Sequence, residues 1–174
     1  MTTENAESNK PFRVAVFADF VCPYSFLAVE QIDRLAREYD LQPLWRPHLL
    51  HPDTPPAGTP CARTPERVER LKAWIKDMAP DHLSRIRIPD KRHYSMLAFE
   101  ALEFAYDHGL DFAFKTAVYD LMWTEDGDIG EPETLMAAAE RVGLDPAELQ
   151  IALHERLYAE RAFAAVNQAR EIGI

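Results

Sequence analysis

The spacing of apolar residues changes once, early in the chain. Arg13-Val-Ala-Val-Phe-Ala-Asp-Phe20 is a short, mostly apolar run of β-branched and aromatic residues, which reads as a buried strand. It breaks at Val21-Cys22-Pro23, after which Ala28, Ile32, Leu35 and Tyr39 recur at helical spacing. Pro23 falls in the first helical turn, where its missing N–H costs nothing. Leu41-Gln-Pro-Leu-Trp-Arg46 then alternates as a second strand, which Pro43 places at an edge or a strand start. The first fifty residues therefore predict β-α-β, with Cys22 where the first strand hands over to the helix.

Pro52, Pro55, Pro56 and Pro60 give the stretch between Pro47 and Pro65 a loop composition, read as irregular. From Thr64-Pro65-Glu66 onward the spacing is helical. One stripe is Val68, Leu71, Ile75 and Met78; a second is Leu97, Ala101, Phe104 and His108, with Gly109 as a cap; a third is Phe114, Val118, Leu121 and Met122. A fourth helix runs from Pro132 to Val142 and closes at Gly143. A fifth opens on Asp145-Pro146-Ala147-Glu148, with an N-cap, a Pro at the first helical position and a Glu at the third, and a last helix ends near Glu171. The aromatic set Trp74, Phe99, Phe104, Phe112, Phe114, Tyr119 and Trp123 is assigned mostly to the core, with a substrate groove as the alternative. Two strands alone make a marginal sheet, so this pattern is short of strands.

With 174 residues, 47% of them hydrophobic, the chain can bury one core, and a single domain with an insertion is expected. A net charge of −10, with no Lys/Arg-rich run to offset it locally, argues against nucleic acid and membrane surfaces as partners. Met1 to Lys10 is polar and lacks a signal-peptide core, so a cytoplasmic location is expected. Two cysteines, Cys22 and Cys61, are too few for a disulfide framework, which favours catalytic over structural chemistry. His48, His51, Asp53 and Cys61 are metal-ligand types without a second clustered pair, so no metal is expected. His82, His93, His108 and His154 read as surface or boundary residues. With no glycine-rich phosphate loop, no nucleotide cofactor is expected.

Two readings of Cys22 fit these observations. Unpaired N–H groups and the dipole of a helix start favour negative charge, and the thiolate is the reactive form of cysteine. Against that, a cysteine beside a strand is often only a small buried hydrophobe. The wider sequence favours the first. Asp19-Phe-Val-Cys22-Pro-Tyr-Ser25-Phe-Leu-Ala28 resembles the active-site segment of the DsbA-like thioredoxin superfamily. Ser95-Met-Leu-Ala-Phe-Glu-Ala-Leu-Glu-Phe-Ala105, Gly127-Asp-Ile-Gly-Glu-Pro-Glu-Thr-Leu135, Gly143-Leu-Asp145 and Ala169-Arg-Glu-Ile-Gly173 follow in the order of its FrnE-like branch.

The resemblance implies an α/β, thioredoxin-like β-α-β fold with a large all-helical insertion. Its expected parts are a flexible tail over 1–12, the β-α-β part over 13–50, the insertion with its Pro-rich entry over 51–160, and a returning helix over 161–174. Three departures from the family pattern stand out. The second cysteine of Cys-x-x-Cys is replaced by Ser25, so an outside thiol is needed to resolve a mixed disulfide on Cys22. Pro23-Tyr24-Ser25 also resembles the Ser-Pro-Tyr-Ser segment of 2-hydroxychromene-2-carboxylate isomerases and kappa-class glutathione transferases, with Cys22 in the place of their serine; Tyr94 stands where many relatives carry asparagine. Finally, in the family a cis-proline loop, two strands and a helix follow a segment like Ile172-Gly-Ile174, so a chain truncated before them is expected.

The leading functional expectation is a thiol–disulfide oxidoreductase with Cys22 as nucleophile, Ser25 as a donor to its thiolate, and Pro23, Tyr24 and Asp19 adjacent. Cys61 is the candidate for a distant resolving thiol. Protein disulfides or glutathione are the expected partners, glutathione as a co-substrate rather than a tightly bound cofactor, and an open sheet edge permits a dimer. The alternatives are a glutathione-dependent isomerase or transferase, and a non-catalytic interaction protein with the same fold.

Overall fold

The computed structural model describes residues 12–61 and 63–174; apart from Phe12, the expected N-terminal tail lies outside them. Strands β1 (Phe12–Ala18) and β2 (Leu41–Pro47) pair in parallel, from Phe12 opposite Leu41 to Ala18 opposite Pro47, and helix α1 (Pro23–Glu38) crosses between them. Among the described residues β2 has no strand on its other side, the setting in which a strand tolerates Pro43. One expectation fails. β1 is not a buried strand: Phe12 is 73% exposed, and burial sets in only at Ala18, where the helical region closes over its C-terminal end.

The Pro-rich segment is not wholly irregular either. Thr59–Pro60 forms β3, which pairs antiparallel with Lys91–Arg92, β4, inside a region expected to be helical. Two-residue strands thirty residues apart carry no periodicity, so only the fold reveals them. Gly58 makes the approach feasible. Its φ is +71°, and a Cβ there would overlap the Lys91 side chain and come within 2.7 Å of the Arg92 carbonyl oxygen.

Helices α2 (Pro65–Met78), α3 (Ser95–Asp107), α4 (Asp111–Thr124), α5 (Pro132–Val142), α6 (Pro146–His154) and α7 (Ala159–Glu171) follow. Their ends obey local chemistry. The Thr64 hydroxyl caps α2 through the Arg67 N–H, the Asp145 carboxylate accepts from Ala147 and Glu148, and Gly143 closes α5 at φ +81°. α3 packs against α4, α6 and α7, and α4 packs against α1, which is why both are apolar almost all round. Phe20, Phe26 and Val29 of the β-α-β part join Phe99, Phe104, Phe114, Val118 and Trp123 of the helices in one continuous core. α7 returns onto β2 and α3.

Among the described residues one Lys or Arg side chain is buried in this core. Lys115 of α4 is 1% exposed, and its Nζ lies 3.6 Å from the centre of the Trp45 ring and 4.2 Å from that of Phe112, with no hydrogen-bond acceptor. Burial pushes its ammonium down from an ordinary 10.5 to about 8, against the pull of Asp33 and Asp111. Between those two pH values the unfolded chain holds a proton that the folded chain has lost, so this group makes stability rise with pH there. Lys115→Met is expected to raise the unfolding free energy at pH 7 by about 1–2 kcal/mol and to abolish that rise, both read by urea denaturation at pH 7 and above pH 8.

Candidate active site

β1 ends inside the core, so the turn that follows must satisfy its backbone groups without water. Asp19 does much of this. Its carboxylate accepts the N–H of Val21 at 3.2 Å and of Leu50, beyond β2, at 2.8 Å, while its carbonyl accepts the Cys22 N–H at 3.1 Å. Two buried side chains one turn apart on α4 complete the set: the Tyr119 hydroxyl donates to the Asp19 carbonyl at 3.2 Å and Trp123 Nε1 to the Phe20 carbonyl at 2.8 Å. Asp19 is 1% exposed, and burial raises its carboxyl above the ordinary value although the bonds from Leu50, Ser95 and Val21 oppose it. Its place is therefore beneath the turn, holding it.

Cys22 is the N-cap of α1, in extended conformation, with Pro23 opening the helix and no acidic side chain in the first turn. The Cys22 carbonyl takes the first helical N–H, from Phe26 at 3.1 Å, and its half-buried thiol is free. Ser25 is half-buried in the first turn of α1, and burial holds the Tyr119 phenol well above its ordinary value, so it is a donor at neutral pH.

Above the thiol opens a cleft of about 880 Å³ between α1 and α2. Tyr24 meets Trp74 of α2 edge to face, ring centres 4.5 Å apart, to form one wall. Cys61 lines the same cleft, so the fold brings to one space two cysteines thirty-nine positions apart. The rest of the lining combines the apolar Val21, Leu50, Leu71 and Met122 with the basic Arg63, Arg67, Arg70, Lys91 and Arg92 and with His51. This corrects the reading of a chain without a Lys/Arg cluster. The cluster is assembled by α2 and β4, and in sequence it shows only as two separate fragments, the i, i+3 pair Arg67 and Arg70 and the adjacent Lys91-Arg92. His51 is lowered by burial and then by Arg92.

The position of β4 is fixed by Asp128, which ion-pairs Lys91 and bonds His93 Nδ1 at 2.7 Å and the Gly130 N–H at 2.9 Å. Burial works against its charge, yet these bonds hold its carboxyl below the usual range. His93 is thus buried rather than a surface or boundary residue, and the Asp128-Ile-Gly130 segment acquires a structural purpose. Tyr94 is the N-cap residue of α3 and makes no side-chain cap bond. Among the described residues no three His, Cys, Asp or Glu side chains gather as metal ligands, and no helix is long and apolar enough to cross a membrane.

A family model for the DSBA-like thioredoxin domain matches residues 13–174. YwbO, an uncharacterized protein of Bacillus subtilis (strain 168), is 29% identical over 160 residues, 91% of this chain and 80% of YwbO. Among solved structures, a 2-hydroxychromene-2-carboxylate isomerase superposes with a TM-score of 0.73 at 18% identity, over 94% of this chain and 81% of the isomerase. The cytosolic disulfide reductase DsbM of Pseudomonas aeruginosa does so with a TM-score of 0.68 at 15% identity, over 92% and 78%, and its complex with GSH with 0.64 at 14%, over 93% and 81%.

The two α4 donors are not equivalent. The Phe20 carbonyl depends on Trp123, whereas the Asp19 carbonyl also has the Cys22 N–H. Trp123→Phe is expected to cost about 1–3 kcal/mol and Tyr119→Phe less, measured as shifts of the urea midpoint.

Proposed function

Because the chain belongs to the DSBA-like thioredoxin domain family, we propose that it is a thiol–disulfide oxidoreductase that works through one cysteine, Cys22, with an external small thiol completing the cycle. The observation that carries this is a free cysteine capping α1 at the floor of a basic cleft, with serine in place of its usual partner. Attack of the Cys22 thiolate on a disulfide RSSR forms Cys22–S–S–R and releases RS⁻. A second thiolate, R′S⁻, then attacks Cys22–S–S–R, restores the Cys22 thiolate and leaves as RSSR′. Pro23 shapes the turn, Tyr24 supplies cleft wall, and Ser25, in the first turn of α1, is the hydroxyl donor to the thiolate. Glutathione is the candidate external thiol, a role that the GSH complex of DsbM supports, and the cytosol is the matching compartment.

A second reading is favoured by the isomerase likeness and the positive cleft: bound glutathione is itself the working thiol, and Cys22 contacts its sulfur. The two readings separate at the mixed disulfide. Under the first, Cys22→Ser is expected to lower turnover with hydroxyethyl disulfide and a thiol by at least about a hundredfold, and mass spectrometry finds the adduct on Cys22. Cys61→Ala is expected to leave turnover unchanged; loss of turnover there would make Cys61 the resolving thiol.

A further inference from the structure

The cleft's charge is out of keeping with the protein that carries it. The chain has 29 acidic and 19 basic residues, and outside the cleft four cations are ion-paired, Arg141 with Glu125, Arg156 with Glu100, Arg161 with Glu103 and Asp107, and Lys72 with Glu69, while the others are scattered singly or in pairs rather than gathered around one cavity. Of the five cations in the cleft wall, Lys91 alone has an ion-pair partner, Asp128. Arg63 donates to the neutral Pro89 carbonyl at 2.6 Å, and Arg67, Arg70 and Arg92 have no salt bridge among the described residues. No Asp or Glu lines the cleft. Of the acidic residues of α2, Glu69 lines a separate surface pocket with Lys72. In an acidic chain, four guanidinium groups left unpaired around one thiol form a recognition surface for negative charge, and their planar forks suit phosphate or carboxylate. The N-terminus of α1 adds its dipole with the same sign.

Building on the thiol-exchange reading above, with glutathione as the releasing thiol, we propose that the substrate of this cleft is a polyanionic small-molecule disulfide, phosphate- or polycarboxylate-bearing and without an ammonium group, held by Arg67, Arg70 and Arg92. The missing carboxylate in the wall is what sets the class. Glutathione disulfide carries ammonium groups that would find no acidic partner there, so as the disulfide substrate it ranks below one whose charges are all negative, while reduced glutathione keeps its place as the thiol that releases the adduct. The volume suits a ligand of nucleotide size, and the Tyr24–Trp74 wall offers its planar part an aromatic face.

The test compares the rate of mixed-disulfide formation at Cys22, followed by mass spectrometry, for cystamine, hydroxyethyl disulfide, glutathione disulfide and coenzyme A disulfide. The expected order rises from the cationic to the polyanionic probe, and added salt compresses it. The double variant Arg67→Glu/Arg70→Glu is expected to lower the rate with coenzyme A disulfide about tenfold or more relative to hydroxyethyl disulfide. Arg37→Glu, at the far end of α1, changes the net charge equally per site and is expected to leave the ratio alone. Competition by pyrophosphate or by citrate distinguishes phosphate from polycarboxylate recognition. A neutral disulfide reacting as fast as coenzyme A disulfide, or glutathione disulfide reacting faster, overturns the proposal. If no disulfide reacts at all, the thiol-exchange reading falls. Calorimetric binding of reduced coenzyme A to the native protein and the double variant then decides the charge preference by itself: a tenfold or greater loss upholds it, and equal or no binding overturns it.

Discussion

Everything at the candidate site depends on how the end of β1 is satisfied once it leaves the sheet. The carbonyls of Asp19 and Phe20 point into a region without water, and α4 brings the Tyr119 hydroxyl and the Trp123 indole to meet them. Because those donors come from a helix a hundred residues away, the helical region cannot be regarded as an appendage. It completes the backbone of the cysteine turn. Asp19 works from the other side, pinning the turn to the segment after β2. Cys22 thus sits on a rigid support, with its side chain left free.

The second constraint is electrostatic. An acidic chain gathers five cations around one cleft whose lining holds no Asp or Glu, and it does so by folding alone. α2 presents Arg67 and Arg70 on the wall of the cleft, while β4 presents Lys91 and Arg92 opposite. Gly58 allows β3 to approach β4, and Asp128 anchors Lys91. The motif around Gly127 and Gly130, remote from the cysteine in sequence, therefore serves the cysteine's surroundings. The thiol, its hydrogen-bonded neighbours and its cationic rim belong to three different parts of the chain.

Local patterns were legible wherever one physical rule acted over a whole element. The β-α-β opening, the α5 and α6 boundaries at Pro132, Gly143 and Asp145, and the end of α7 at Glu171 all followed from periodicity and capping. The reading weakened where pairing is short or distant. β3 and β4 have two residues each, too few for any period, and the exposure of β1 depends on what covers it rather than on its own apolar content. Histidines show the same limit: His93 and His154 look alike in sequence, and only the Asp128 contact makes one of them buried.

The sequence by itself determined that Cys22 begins a helix after a strand, that Ser25 replaces a second cysteine, and that the chain resembles a DsbA-like family. Those are properties of neighbouring residues, set by turn chemistry and period. What the tertiary structure alone decided is the environment of that cysteine. The Tyr119 and Trp123 bonds to the cysteine turn, the presence of Cys61 in the same cleft and the gathering of four arginines that have no salt bridge among the described residues arise from packing between distant elements. Charge and hydrogen-bond partners act through space, and no pattern along the chain encodes distance in space.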